Sequence, residues 1–303
     1  MDEISDKIAA DPVGKKSSPA RLSPLTRRVV TAAVLLIACA LLYGFILARF
    51  DLSKGPGESE LGAASGVAQV MLYLQPIHID VVNHSMQVRI SVVPLVEAKS
   101  TIADRDFLLK IQRGRQVEHV QIRAGQQLPE VTFDFDLQEG DVRDYPLDRY
   151  ISVTTLASER TQNGTEIPLP IHVTVWEGVL GFDVKATSIR TRRPDELQLQ
   201  FAVSRTGAVS FFGLAIYGAM LVMMFCALII GSLVFVGFRR IEVTLIGALG
   251  AVIFALPALR NALPGAPPIG VRADILVFFW AELGAIMALC LFVAAWARQG
   301  ARP

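Results

Sequence analysis

From residue 197 the chain reads Leu197-Gln-Leu199-Gln-Phe201-Ala-Val203, and within a few residues it passes into an apolar run covering 210–238. The first stretch alternates apolar and polar side chains, the period of a strand with one face buried. The second is long enough to cross a hydrocarbon core of about 30 Å, with residues to spare for tilt or for projection beyond the bilayer. The junction between them therefore separates a β-rich domain from membrane-spanning helices.

Period-two alternation recurs upstream. It is present in Val131-Thr-Phe133-Asp-Phe135-Asp-Leu137, in Val88, Ile90 and Val92, and in Ile171, Val173 and Val175. Turn signals separate these sets: Asn83-His84, Arg113-Gly114, Asn163-Gly164 and Glu177-Gly178. Asn-Gly favours a tight hairpin because both central residues must take positive φ. The spacing predicts eight to ten strands over residues 67–205, packed as an antiparallel β-sandwich of two sheets.

Three other runs have the length and apolarity of spans. They cover 29–48, 243–259, with Pro257 near its end, and 275–297, with Glu282 inside it. The chain thus reads as an α plus β membrane protein. It has one N-terminal transmembrane helix, an exported antiparallel β-sandwich-like domain and three C-terminal transmembrane helices. Around these lie a basic tail (1–28), a Gly/Ser-rich linker (49–66), an outer Pro/Gly loop (260–274) and a short tail (298–303). The first apolar run exceeds the usual length of a signal peptide and no A-x-A-like site follows it, so it reads as an uncleaved anchor.

Orientation follows from basic residues beside the span ends. Lys15, Lys16, Arg21, Arg27 and Arg28 precede the first span, Arg239 and Arg240 join the second to the third, and Arg298 and Arg302 follow the fourth. All three groups are cytoplasmic if both termini are inside and the β-domain is extracytoplasmic. The expected location is the plasma membrane, with the lipid bilayer as the first partner.

Composition agrees. The chain is 52% hydrophobic, with a mean hydropathy of +0.45 and only 19% charged residues. A net charge of +1 excludes the broad basic footprint that nucleic-acid binding needs. Cys39, Cys226 and Cys290 all lie in apolar runs, which leaves the β-domain without a disulfide staple and gives the thiols no metal or redox role.

Several residues are candidates for function. His78 and Asp80 share a strand face, with His84 just past the turn, a weak metal trio on what otherwise reads as a solvated face beside inward Ile77, Ile79 and Val81. Asn83-His-Ser85 and Asn163-Gly-Thr165 match the glycosylation sequon on the exported side. In Arg143-Asp-Tyr145-Pro146-Leu-Asp148-Arg149-Tyr150, proline and crowded ionic and aromatic groups fit a recognition or coupling loop, or a structural corner. Glu282 is an ionisable residue about two turns into a span, which marks a functional site unless it is paired. Arg260 and Arg272 are its expected partners, with Asn261 and Asp274 close by. Small residues at spacings of four mark close helix contacts: Gly247, Ala251 and Ala255, then Ala281 and Ala285, then Gly284 and Ala288.

The run Arg239-Arg240-Ile-Glu242-Val-Thr-Leu245 leads into Phe254-Ala-Leu-Pro257-Ala-Leu-Arg260-Asn261-Ala-Leu-Pro264-Gly265-Ala-Pro267-Pro268-Ile-Gly270, then Asp274 and Phe278-Phe279-Trp280-Ala-Glu282. Together with the Tyr145-Pro146 loop, it resembles the uncharacterised integral-membrane family called domain of unknown function 4436. The resemblance runs from about residue 67 to the end, with the Pro/Gly loop as its most specific part. It implies the same architecture and brings no established activity. Leu147 departs from the phenylalanine expected there. The same loop also resembles the Phe-Pro-Phe-Asp loop of pentameric ligand-gated channels, but three spans follow the β-domain here rather than four and the flanking cysteine pair is missing.

The residues point to a non-catalytic binding, scaffold or accessory protein that acts through its β-domain on a protein partner or on further copies of itself. The alternative is a transporter or channel component using Glu282. An enzyme is the weakest reading, since the chain has no Gly-rich phosphate loop, nucleophile elbow or dense acidic or histidine cluster. No cofactor and no metal is expected.

Overall fold

The computed structural model describes residues 57–64, 68–93, 106–162, 165–189 and 196–300, with isolated helical positions between 28 and 44. Most of the first expected span, the basic tail and the Asn163-Gly164 turn lie outside the described residues.

Twelve strands occur among the described residues. They are β1 (Glu58–Gly62), β2 (Val70–Asp80), β3 (Ser85–Val93), β4 (Phe107–Arg113), β5 (Gln116–Ile122), β6 (Glu130–Asp136), β7 (Arg149–Gln162), β8 (Thr165–Pro168), β9 (Ile171–Trp176), β10 (Gly178–Val179), β11 (Phe182–Ile189) and β12 (Glu196–Arg205). One sheet has the order β1-β9-β2-β3-β6, and the other β10-β11-β12-β7-β4-β5, with β8 added to β7. The alternating inward residues of both sheets enter one apolar cluster. Leu72, Leu74, Val88 and Ile90 come from the first sheet, and Leu109, Leu156, Leu199 and Val203 from the second. Phe135 and Phe201, one from each sheet, meet with ring centroids 5.8 Å apart.

The structure corrects four expectations about this domain, the first being its strand count, twelve among the described residues rather than eight to ten. The domain is not wholly antiparallel, because β9 runs parallel to β2 with Val70 opposite Ile171. A period-two pattern records which face of a strand is buried, not the direction of its neighbour, and parallel partners must be joined by a long crossover. Residues 58–62, assigned to the linker, form β1 along β9. In β2 a bulge between Pro76 and His78 breaks the alternation, so Ile77 faces outward beside His78 instead of inward. Proline offers no N–H to the ladder, which is why an irregularity is tolerated there.

Three helices follow, each long and apolar enough to cross a membrane. α1 (Gly207–Val236) begins at Thr206, whose hydroxyl accepts from the Val209 amide, and ends at Gly237 in the left-handed conformation. At 1.5 Å per residue its 30 residues measure about 45 Å, so it outreaches the hydrocarbon core. α2 (Val243–Asn261) continues through Pro257. A single π-helical turn, Asp274–Phe278, leads into α3 (Phe279–Gly300). Of the small-residue stripes, Ala281, Ala285 and Ala288 are fully buried and Gly284 lies against Met224 of α1. Gly247 and Ala251 instead face outward and make no helix contact among the described residues. Cys226 and Cys290 are exposed on helix surfaces rather than buried.

The shared core sets a stability test. Phe201→Ala removes a fully buried ring from the sheet-to-sheet contact and should cost about 3–5 kcal/mol. Gln200→Ala, one residue away on the opposite face, should stay within about 0.5 kcal/mol. Denaturant unfolding of the full chain in detergent, followed by Trp176 fluorescence with Trp280 and Trp296 replaced by Phe, measures both. Equal losses would contradict the sandwich packing.

Candidate functional site

The inward register of β12 runs Leu199, Phe201, Val203 and then Arg205, which is buried. An arginine there must recover its hydrogen bonds inside the protein. The loop before β7 provides a counter-charge and one hydrogen bond. Arg205 Nε donates to Asp148 Oδ1 at 2.7 Å, and the Tyr150 hydroxyl donates to Asp148 Oδ2 at 2.9 Å. The two charged side chains are 2% and 0% exposed, so this is a fully desolvated ion pair. Arg205 Nη2 has no hydrogen-bond partner. The guanidinium instead lies over the rings of Tyr145, at 4.7 Å, and Phe182, at 5.0 Å, in cation–π contact.

The same loop reaches the helices. The Tyr145 hydroxyl donates to the Pro264 carbonyl at 3.0 Å, and Ser210 Oγ of α1 donates to the Pro146 carbonyl at 2.9 Å. Gly213 permits this approach, since a Cβ on it would stand 3.0 Å from the Tyr145 hydroxyl and 3.1 Å from Pro146 Cβ. Gly265 of the outer loop, at φ +75°, comes so close to Arg205 that a Cβ would lie 2.6 Å from Nη1. Tyr145 thus belongs to the apolar cluster of the helices, with Ile216, Met220 and Leu256, although it is a β-domain residue. Its peptide bond to Pro146 is cis.

A second buried pair closes the outer loop. Arg260 Nη2 donates to Asp274 Oδ2 at 2.8 Å and to the carbonyls of Pro267 and Pro268 at 3.0 and 2.8 Å. Asp274 also accepts from the Tyr217 hydroxyl at 2.8 Å and from the Gly270 amide at 3.0 Å. Arg272 pairs with Asp144 at the surface, where an ion pair contributes little.

The candidates named from sequence therefore divide. Tyr145, Pro146, Asp148, Tyr150, Arg260 and Asp274 gather at the junction of sheet and helices. Arg149 is exposed opposite Ser204, and Asn261 is exposed at the end of α2. Neither enters the network. The expected pairing of Glu282 is overturned: both arginines are taken by aspartates, and Glu282 Oε2 is buried with no hydrogen-bond partner. Asp80 uses its carboxylate on the turn, accepting from the Val82 and Asn83 amides and the Asn83 side chain. His84 sets its ring edge towards Tyr150, and no group of three His, Cys, Asp or Glu among the described residues is placed to hold a metal. Arg205 and Tyr217 were missed, although both carried a signal: a charge in the inward register of a strand, and a phenol inside an apolar run.

Residues 60–203 match the family described as Domain of unknown function (DUF4436), the family that the sequence resembles. Residues 205–299, which hold the helices and the Pro/Gly loop, match a second, Domain of unknown function (DUF8686). The boundary between the two matches falls beside Arg205. No curated protein matches the chain.

Two outcomes test this site. Asp148→Ala leaves Arg205 buried without its counter-charge and should cost about 3–5 kcal/mol, while adding Arg205→Met should recover part of that loss in a double-mutant cycle. Additive losses would show that the pair is not coupled. Burial pushes the Tyr145 phenol up to about 12 and also raises that of Tyr150. Stability from Tyr145 is then complete below its unfolded pKa of about 10 and is lost as pH rises through about 12. Alkaline melts of the full chain should decline across that window, and Tyr145→Phe should flatten the decline by roughly 2–3 kcal/mol. An unchanged slope would place the loss elsewhere.

Proposed function

We propose that this chain is a plasma-membrane protein with both termini in the cytoplasm, working without catalysis as a binding, scaffold or accessory protein. Its extracytoplasmic β-domain is presented on a fixed seat to a protein partner or to further copies of the chain. The observation that carries this reading is how the junction uses its ionisable groups. Asp148 serves Arg205 and Tyr150, and Asp274 serves Arg260, Tyr217 and the Gly270 amide. Those charges are spent on holding a domain still, which suits a module that presents a surface. The orientation rests on Arg239, Arg240 and Arg298 at one end of the helices and the β-domain at the other.

Cysteine labelling tests the orientation. In a chain whose native cysteines are replaced, Arg115→Cys in the β4–β5 turn should react with an impermeant reagent on intact cells, and Arg240→Cys should not. Reversed labelling would overturn the topology. Crosslinking in cells, followed by purification in mild detergent and mass spectrometry, should give crosslinks concentrated on the β-domain, to one protein partner or to a second copy. Crosslinks found only on the helices would remove the binding role.

A second reading, a transporter or channel component, is favoured by one observation, the buried unpartnered oxygen of Glu282. Glu282→Gln removes no ion pair, so it should change stability by less than about 1 kcal/mol, whereas Asp274→Asn should be clearly destabilising. Flux of protons, Na⁺ or K⁺ into proteoliposomes that disappears in Glu282→Gln would establish transport. Native protein without flux would exclude it.

A further inference from the structure

Large aliphatic side chains left in water usually mark a surface that is covered in use. At the helix-facing end of the β-domain three of them stand out on separate segments. Leu180, at the turn between β10 and β11, is 100% exposed, Leu147 is 63% exposed and Ile269, in the outer loop, is 87% exposed. None belongs to the apolar clusters of the domain or of the helices.

Each is held beside the outer end of a helix by its immediate neighbours. Next to Leu180, the Gly181 carbonyl accepts from the Thr206 amide at 3.1 Å, and Gly181 lies against Val209 of α1. Next to Leu147, Pro146 packs on Gly213 and accepts from Ser210. On either side of Ile269, the Pro268 carbonyl is held by Arg260 and the Gly270 amide by Asp274. At the same level the helices themselves present outward apolar groups: Phe211 and Phe212 on α1, and Ile275 and Leu276 on the π-helical turn. The three side chains therefore continue the apolar surface of the helices onto the β-domain and the outer loop.

We propose that Leu147, Leu180 and Ile269 are the lipid contacts of the β-domain and outer loop, inserted at the boundary of headgroups and acyl chains in the outer leaflet. The partner is the bilayer surface, and the inference rests on the membrane reading above. Aliphatic groups on rigid turns suit that boundary, because they bury apolar area in lipid while the turn backbones stay hydrated. A soluble protein partner would meet one face of the domain. Here the groups sit beside both the start of α1 and the loop between α2 and α3, as a surface surrounding the helices would require. Depth should differ among them. Val209 precedes Gly213 by four residues, about 6 Å along α1, so Leu180 sits shallower than Leu147.

Tryptophan quenching by brominated phospholipids tests this on the full chain in nanodiscs. Trp176, Trp280 and Trp296 are replaced by Phe, and single tryptophans are introduced as Leu147→Trp, Leu180→Trp, Ile269→Trp and Gln162→Trp. Gln162 ends β7, roughly 40 Å along the strand from Arg149, and serves as the aqueous control. A further variant keeps Trp296 alone, on the exposed surface of α3, as the membrane control. The expected result is quenching at Leu147→Trp and Ile269→Trp by bromines near the headgroup end of the acyl chain, weaker quenching at Leu180→Trp, and none at Gln162→Trp. Quenching of Trp296 without quenching at the three positions would overturn the inference and leave the membrane reading intact. Quenching confined to one of the three would also overturn it, since it would leave one lipid-facing loop and no seat. An unquenched Trp296 would overturn the membrane reading, and the inference with it.

Discussion

An arginine taken out of water has to be given back its hydrogen bonds and a counter-charge, and the burial of Arg205 imposes that demand at the point where sheet becomes helix. Asp148 meets it on one edge of the guanidinium, and Tyr145 and Phe182 cover its faces. Gly265 closes against Nη1 from the outer loop. Three segments, the loop before β7, β11 and the outer loop, are thereby brought to one side chain of β12. A buried pair of this kind contributes little net stability compared with apolar residues of the same shape, but breaking it is costly. It acts on geometry, by penalising any arrangement in which the loop, β11, β12 and the outer loop are not together.

The Arg260–Asp274 pair solves a related problem a few residues further into the helices. The outer loop contains Pro264, Pro267 and Pro268, which have carbonyls to satisfy and no N–H groups to offer. Arg260 supplies donors to two of those carbonyls and to Asp274 at once, and Asp274 in turn receives Tyr217 and the Gly270 amide. The Tyr145 hydroxyl takes the third proline carbonyl. The loop is therefore tied to α1, α2 and the β-domain without secondary structure of its own. The two networks meet at Tyr145, which donates to the loop with its hydroxyl and lies under Arg205 with its ring.

Much of this architecture was legible because it rests on periodicity. Alternation located β3, β6, β9 and β12, and the long apolar runs located three helices within a few residues of their ends. What periodicity does not carry is the identity of a partner. It gave no sign that β9 lies parallel to β2, or that the short segment 58–62 pairs at all, since Glu58 and Glu60 read like linker. The site was half legible for the same reason. Proline and clustered charge singled out the Tyr145-Pro146 loop and Arg260, but pairing by proximity in sequence sent Arg260 and Arg272 to Glu282. In space each arginine reached a nearer aspartate. Arg205 was hidden by its position at the end of a strand that already looked complete.

Glu282 remains the unresolved charge. Among the described residues, four buried side-chain polar atoms lack a hydrogen bond, and Glu282 Oε2 is the one carboxylate oxygen among them. Asp148 and Asp274 show what this chain does with a buried carboxylate when structure is its purpose: each receives an arginine and at least one tyrosine hydroxyl. Glu282 receives neither among the described residues, so the pairing expected with Arg260 or Arg272 is not made. On the same helix Ala281, Ala285 and Ala288 are fully buried in the helical clusters. Among the described residues no hydrogen-bond donor meets Glu282 Oε2. The outward Gly247 and Ala251 of α2 leave a surface on which helix backbones can approach closely.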